Sequence, residues 1–564
     1  MKKVLLKSMC FTPLITLSLG VDASEFIAPP MVAIPAGHYI QGSDAFKKTG
    51  PAKNVSVQAF HMARFPITVA EFRLFAKDTN YKPDAKCNDY MDENWMSEPE
   101  GGPTGSWDDH RYLKSEYQPV TCITPTIASQ YAKWLSKKTG NKYRLPTEKE
   151  WEYALKAGST SRYFWGDDFA DTQVCKYGNV ADMSGEYFAS EEYGATYVGY
   201  LGYANCDDGE PYISITGLYR PNPFGLYDMI GNVNQVLSGC YAEGYAVTDD
   251  KNIGIGDCEL FPHRTKTWHL PPEPHFERGR GNEKWGLDAN MGFRLVADGS
   301  QLTQFSNTQK FEADLKTAQE KRLSSRPKLP RAPQIVDLQK QTGNTYKLSW
   351  SRVNDDRVVG YDIYRSSSPY SHKMSGFYKK HYIKIDTIKQ DTTSISVKLP
   401  AEQGSFRVVT KLKNLTSLPS PAAVVEKEKV HELPGRVFAE DMSASQASIL
   451  RVSKKKNDPE PFYISRLVKG WEQPLIEVSI SVNVKESGEY ILNYRGRSRN
   501  EGEFFQVWRN HELLETVSFD KDVDDKASNR HKVYLEKGVQ NLSVAVKQQG
   551  WGSWSVSWLE FTKA

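Results

Sequence analysis

The sequence predicts a multidomain protein: a loop-rich α+β domain followed by two all-β sandwiches. Three observations lead there. Six of the seven cysteines (Cys87, Cys122, Cys175, Cys206, Cys240 and Cys258) lie in the first half of the 564 residues, and none follows Cys258. The stretch Arg326-Pro327-Lys328-Leu329-Pro330-Arg331-Ala332-Pro333 carries three prolines, which resist both helix and sheet ladder. Beyond it, short runs of alternating apolar residues replace the Gly-, Tyr- and Trp-rich composition of the first half.

The N-terminus reads as an export signal. Met1-Lys2-Lys3 supplies the charge, Leu14-Ile15-Thr16-Leu17-Ser18-Leu19 the apolar core, and Val21-Asp22-Ala23 a small-residue cleavage site. Lys7, Ser8 and Pro13 break the run, so it is too short to anchor in a bilayer, and no later stretch is long and apolar enough to span one. The mature protein is expected to be exported, periplasmic or extracellular, without a transmembrane segment. An even set of cysteines behind such a leader reads as a disulfide framework in an oxidising compartment. The net charge of +3, with 25% charged residues, gives no basic field that would favour a nucleic-acid partner.

The expected divisions are a signal peptide over residues 1–23, the loop-rich domain over 24–298, a helical and Pro-rich linker over 299–332, and sandwiches over 333–428 and 435–564. In the first domain, Thr68 caps a helix that places Phe72 and Phe75 on one face. A second helix runs from Thr126 through Leu135 and stops at Gly140. A third starts at Pro146-Thr147-Glu148-Lys149-Glu150-Trp151, where Thr147 and Glu150 form a capping box. In the first sandwich, Tyr346-Lys347-Leu348-Ser349-Trp350, Tyr361-Asp362-Ile363-Tyr364 and Phe406-Arg407-Val408-Val409 read as strands. In the second, Val478, Ile480, Val482 and Val484 alternate strictly, and Trp508 and Trp558 are expected in the core.

Several blocks in the first half occur in the order of one family. They are Met31-Val32-Ala33-Ile34-Pro35-Ala36-Gly37, Arg144-Leu145-Pro146-Thr147-Glu148-Lys149-Glu150-Trp151-Glu152-Tyr153-Ala154, Asn222-Pro223-Phe224-Gly225-Leu226-Tyr227-Asp228-Met229-Ile230-Gly231-Asn232-Val233, and Gly292-Phe293-Arg294-Leu295. Together they resemble the formylglycine-generating enzyme (sulfatase-modifying factor) family, which implies a fold related to C-type lectins. The 333–428 segment resembles a fibronectin type III domain. Residues 435–564, opening on Val437-Phe438-Ala439-Glu440-Asp441 and closing on Trp558-Leu559-Glu560-Phe561, resemble a carbohydrate-binding jelly-roll module.

Six cysteines allow about 15 pairings, and spacing does not choose among them. Family order implies Cys87–Cys122, Cys175–Cys206 and Cys240–Cys258. The resemblance also implies two structural calcium sites, since calcium takes oxygens from loop carbonyls and carboxylates. The first maps to Asn179, Val180, Asp208 and Glu210. The second maps to Asp228, Gly231, Val233 and Gln235, where the family usually carries Glu in place of Gln235.

The family's oxidation uses two cysteines that bind copper, a soft metal suited to thiolates. Their positions fall near Leu270 and His275, and no cysteine stands there. No copper is therefore expected, and the chain is read as a binding protein for a glycan or protein ligand at the cell surface or in the matrix. The alternative is a metal-dependent oxidase with a substituted site, for which His263, His269 and His275 would be the ligands. In the last domain, Trp471, Trp551 and Trp554 sit in Gly-flanked loops and are the expected stacking platforms for a sugar ring.

Overall fold

The computed structural model describes residues 25–43, 51–83, 87, 105–168, 171–193, 204, 206–242, 258–270, 278–281, 288–299, 301–334, 336–367, 382–400, 403–425, 429–444, 450–454, 462–466, 476–497, 504–510, 512–518, 531–547 and 555–564. The expected signal peptide lies outside them.

The first domain is built on a small antiparallel sheet in the order Met31–Ile34, Phe60–Ala63, Val296–Asp298 and Lys142–Arg144. The first and last parts of the domain thus meet in one sheet. A second sheet is ordered Gly279–Gly281, Phe261–Arg264, Asn234–Val236 and Met291–Phe293, with the last pair parallel. Helix α1 (Val69–Thr79) starts at a capping box between Thr68 and Glu71 and ends at Asn80 in the left-handed region. Helix α2 (Pro125–Thr139) starts one residue upstream of the expected Thr126, is capped by Thr124, and ends at Gly140 with φ 76°. Helix α3 (Glu148–Lys156) has the expected Thr147–Glu150 box. Arg144 grips the Glu150 carboxylate at 2.7 and 2.8 Å and also reaches Asp298, tying α3 to the first sheet. Phe72, Phe75, Tyr131, Leu135, Trp268 and Phe293 share the main core.

A fourth helix, α4 (Met183–Tyr193), was not expected from periodicity, since its apolar residues form no single stripe. The structure pairs Cys87 with Cys122, Cys175 with Cys206, and Cys240 with Cys258, the pairing that family order implies.

The expected helical and Pro-rich segment contains a helix that packs on the first domain. Helix α5 (Ser306–Ser325) is docked on the first domain. Phe311 and Leu315, one turn apart, are buried against Phe65, Ile215, Leu218 and Tyr219. Polar ties run along the helix: Thr308 to the Ala28 carbonyl (2.7 Å), Arg64 to Glu312 (2.7 Å), and Gln319 to the Thr216 carbonyl (2.7 Å). The polar composition hid this because two buried apolar residues suffice when the rest of the contact is made by hydrogen bonds and an ion pair. Truncating Phe311 to Ala should cost about 3 kcal/mol, read as a lower first transition in calorimetry. Residues 326–334 carry no helix or strand.

The first sandwich packs a three-stranded sheet (Val336–Lys340, Thr345–Trp350, Ser394–Lys398) on a four-stranded one ordered Ile383–Lys389, Gly360–Ser366, Gly404–Lys411 and Ala423–Val425. Leu348, Trp350, Tyr361, Ile363, Phe406 and Val408 fill the space between. The second sandwich has two larger sheets. One contains Ile476–Val484 beside Gly538–Lys547, and the other Gly488–Arg497 beside Ser555–Lys563. Val478, Ile480, Val482 and Val484 all point inward, as their alternation requires. Trp558 is buried as expected. Trp508 is not in the core: its neighbours Phe505 and Val507 are fully buried, and alternation puts Trp508 on the other face, half-buried. Among the described residues, no helix is long and apolar enough to cross a membrane.

Candidate functional site

The acidic turn after Cys206 is the most unusual polar feature of the first domain. The Cys175–Cys206 bridge brings it against the N-terminus of α4. Ser184 donates to Asp207 (2.6 Å), and Asp182 accepts from the Gly185 N–H (2.9 Å), capping that helix. The second Asp182 oxygen accepts from the Asp208 N–H. Asp208 in turn accepts from the Val180 and Glu210 N–H groups at 3.0 and 2.8 Å. Two buried carboxylates are thereby held in one loop. Burial, followed by the charge of neighbouring carboxylates, pushes Asp182 well above the usual carboxylate range. Asp208 is raised too, chiefly by burial.

Cys175, Asp182 and Asp208 each offer a potential ligand atom, all within 4.8 Å of one another, the one such group among the described residues. Cys175 is committed to its disulfide, so the carboxylates are the usable donors. Asn179 adds a buried side-chain oxygen with no hydrogen-bond partner, its amide nitrogen being spent on the Tyr212 carbonyl (2.7 Å). An orphaned oxygen next in sequence to Val180, whose N–H binds Asp208, fits a hard cation held by the two buried carboxylates. Asp182 is the member that the sequence did not suggest. Its buried position only three residues beyond Asn179 becomes meaningful once the disulfide folds the turn back. The Glu210 carboxylate faces elsewhere: Arg322 and Arg326 of the α5 region bind it at 2.8–3.0 Å. Only its main chain remains for an ion.

The second candidate set is brought close to the first. A parallel bridge joins Asn179 to Gly231, and the Asn232 N–H donates to the Asn179 carbonyl at 2.6 Å. Gly231 has φ +76°, and a Cβ there would lie 1.9 Å from that carbonyl oxygen, so the crossing requires glycine. Asp228 is buried, with one oxygen accepting from Thr216 (2.8 Å) and Gly217 (2.7 Å). Val233 is fully buried in the main core. Gln235 is engaged on both ends of its amide, to Trp151 and Arg294 through oxygen and to the Asp228 carbonyl through nitrogen. One oxygen of Asp228 keeps no hydrogen-bond partner, but with Gln235 engaged at both ends the set does not present a free oxygen cage.

One of the two expected thiol positions, Leu270, lies nearby. Leu270 accepts at its carbonyl from the Ala181 N–H (3.0 Å), and His275 lies outside the described residues. His269 is bound through Nδ1 to the Thr267 hydroxyl at 2.7 Å, and burial pushes its imidazole down to about 3 despite a bond to Asn290. His263 is likewise pushed down to about 3, by burial and then by Lys266. Neither belongs to a cluster of three potential ligands among the described residues. Trp268 is packed between Tyr112 and Tyr212 with ring centroids at 4.9 and 5.4 Å, so it is core rather than groove lining. Trp471, Trp551 and Trp554 lie outside the described residues.

A disulfide-stapled α+β domain with long loops, closed by a sheet that joins its two ends, is the class that this fold defines. Residues 21–299 match the sulfatase-modifying factor enzyme 1-like domain. The chain is 27% identical over 250 residues to the formylglycine-generating enzyme of Mus musculus, covering 39% of this chain and 61% of that protein. It is also 27% identical over 241 residues to the inactive C-alpha-formylglycine-generating enzyme 2 of the same species, covering 38% of this chain and 70% of that protein. The chain thus spans less than two thirds of the mouse enzyme's length. The β-sandwich portion resembles a carbohydrate-binding module from a Cellvibrio mixtus lichenase in complex with cellotriose, at 19% identity and TM-score 0.19, over 23% of this chain and 98% of that one.

Proposed function

We propose that this is an exported, non-catalytic binding protein whose first domain is a calcium-stabilised recognition scaffold. One observation carries the reading: no cysteine follows Cys258, so none stands near Leu270 or His275, where the resemblance puts the copper-binding thiolates, and every cysteine after the leader is committed to a structural bridge. Family similarity alone does not choose, because the scaffold is equally like a protein named as an enzyme and one named as inactive. A binding groove outlasts the loss of its catalytic residues, since fold and chemistry are separable.

Asn179, Asp182 and Asp208 would hold the ion together with loop carbonyls such as those of Val180 and Glu210. Its charge would relieve the repulsion between two buried carboxylates. The three-plus-four strand order of the first sandwich supports a fibronectin type III-like spacer. The last sandwich would then present Trp471, Trp551 and Trp554 to a glycan, each ring offering an apolar face to a pyranose.

Two measurements test this on the full chain. Elemental analysis of the purified protein should find calcium without stoichiometric copper or iron. Copper or iron removed by His269→Ala would favour the oxidase instead. On a glycan array, the Trp551→Ala and Trp554→Ala pair should lose signal at least tenfold. An intact protein that gives no signal would remove the carbohydrate assignment.

A further inference from the structure

We infer that Gln235 and Arg294 together close the second candidate cation position, so that this chain holds no ion there, and that the single substitution Gln235→Glu opens it.

The orientation of the Gln235 amide is fixed by chemistry. The Trp151 indole and the Arg294 guanidinium are donor-only groups, so the atom that faces both, at 3.0 Å each, is the oxygen. Both of its lone pairs are then in use. The amide nitrogen donates to the Asp228 carbonyl at 2.8 Å. A hydrogen therefore sits between residue 235 and the Asp228 oxygen, where a bridging cation would otherwise bind both.

The neighbouring positive charge is already supplied. Arg294 is fully buried and spends its remaining donors on main-chain oxygens: Ala63 (2.7 Å), Arg64 (2.8 Å), Tyr227 (2.5 Å) and Asp228 (3.4 Å). Asp228 is the one carboxylate in the set. Calcium would add two positive charges beside a guanidinium with one negative charge to offset them, and calcium sites draw on several oxygens at 2.3–2.6 Å.

A glutamate at 235 keeps the two bonds from Trp151 and Arg294 on one oxygen. Its other oxygen then faces the Asp228 carbonyl across the gap that the N–H now fills. Two oxygens that close repel, and a cation between them removes the repulsion. The same change adds the second negative charge that the site lacks.

The inference depends on the calcium reading only in expecting the same ion. The test uses the full chain after equilibrium dialysis against calcium, with calcium per chain measured by atomic emission. Wild type, Asp208→Asn, Asp228→Asn, Gln235→Glu and the Asp208→Asn/Gln235→Glu pair are compared. Gln235→Glu should hold one more ion per chain than wild type, and the increment should survive Asp208→Asn. Its melting temperature should fall below wild type in EGTA and recover in calcium. No increment overturns the inference. So does a Gln235→Glu protein that calcium fails to rescue, or a wild-type ion that Asp228→Asn removes and Asp208→Asn does not. Wild type with no calcium at all sinks only the first-site reading, and the increment still decides this one.

Discussion

Replacing Glu152 with alanine should destabilise the first domain by about 3–5 kcal/mol, because it strands buried cations. Glu152 is completely buried on α3 and binds Arg264 at 2.7 Å, Lys156 at 3.0 Å and the Gly42 N–H at 2.9 Å. Arg264 is also fully buried, and Glu148, its second partner, is shared with Arg278. The network connects α3, the Phe261–Arg264 strand and Gly42, which directly follows the strand Gly37–Gln41. Removing Glu152 leaves Arg264 facing one shared carboxylate, and the desolvation of its guanidinium is no longer offset. Denaturant unfolding followed by tryptophan fluorescence would measure the loss. A change below 1 kcal/mol would mean that water enters and solvates Arg264.

The same residue sets an acid limit. Burial alone would push the Glu152 carboxyl up, but Arg264, Lys156 and the Gly42 N–H outweigh it and hold the group at about 2 rather than 4.5. Its folded pKa is depressed, so its contribution is fully present above pH 4.5 and is lost as pH falls towards 2. The wild-type protein should lose stability steeply in that window, and the Glu152→Ala protein less steeply.

Arg294→Lys should be almost as damaging, although the charge is kept. The guanidinium reaches five oxygens on three chain segments from one plane. An ammonium has three donors at a single point and cannot reach them all. At least two buried acceptors lose their donors, at about 1–3 kcal/mol each. A lowered unfolding midpoint without a change in the Glu152 network is the expected signature. Near-wild-type stability would show that the carbonyls find water, and it would weaken the assignment of Arg294 as the cation of that position.

The helices of the first domain were legible where a local device fixes them. Thr68 with Glu71 and Thr147 with Glu150 are capping boxes that act over three residues, so the sequence holds all of their information. The period-two pattern of Val478 through Val484 is equally local. Helix α4 was not legible, because what starts it is Asp182, whose other oxygen binds a loop 26 residues away. Trp508 was misplaced for a related reason. Alternation says that a strand has two faces, and only its neighbours in the sheet decide which one is inside.

The site divides the same way. Residue identities alone establish that no cysteine follows Cys258 and that Gln235 carries no charge, and the proposed function starts from those two facts. The tertiary structure decided the rest. It showed Asp182 beside Asp208, the Glu210 carboxylate turned to Arg322 and Arg326, and the Gln235 amide locked between Trp151, Arg294 and Asp228. The physical reason is that ligation depends on which lone pairs remain free after folding. Sequence lists the oxygens, and only packing determines which of them are already taken.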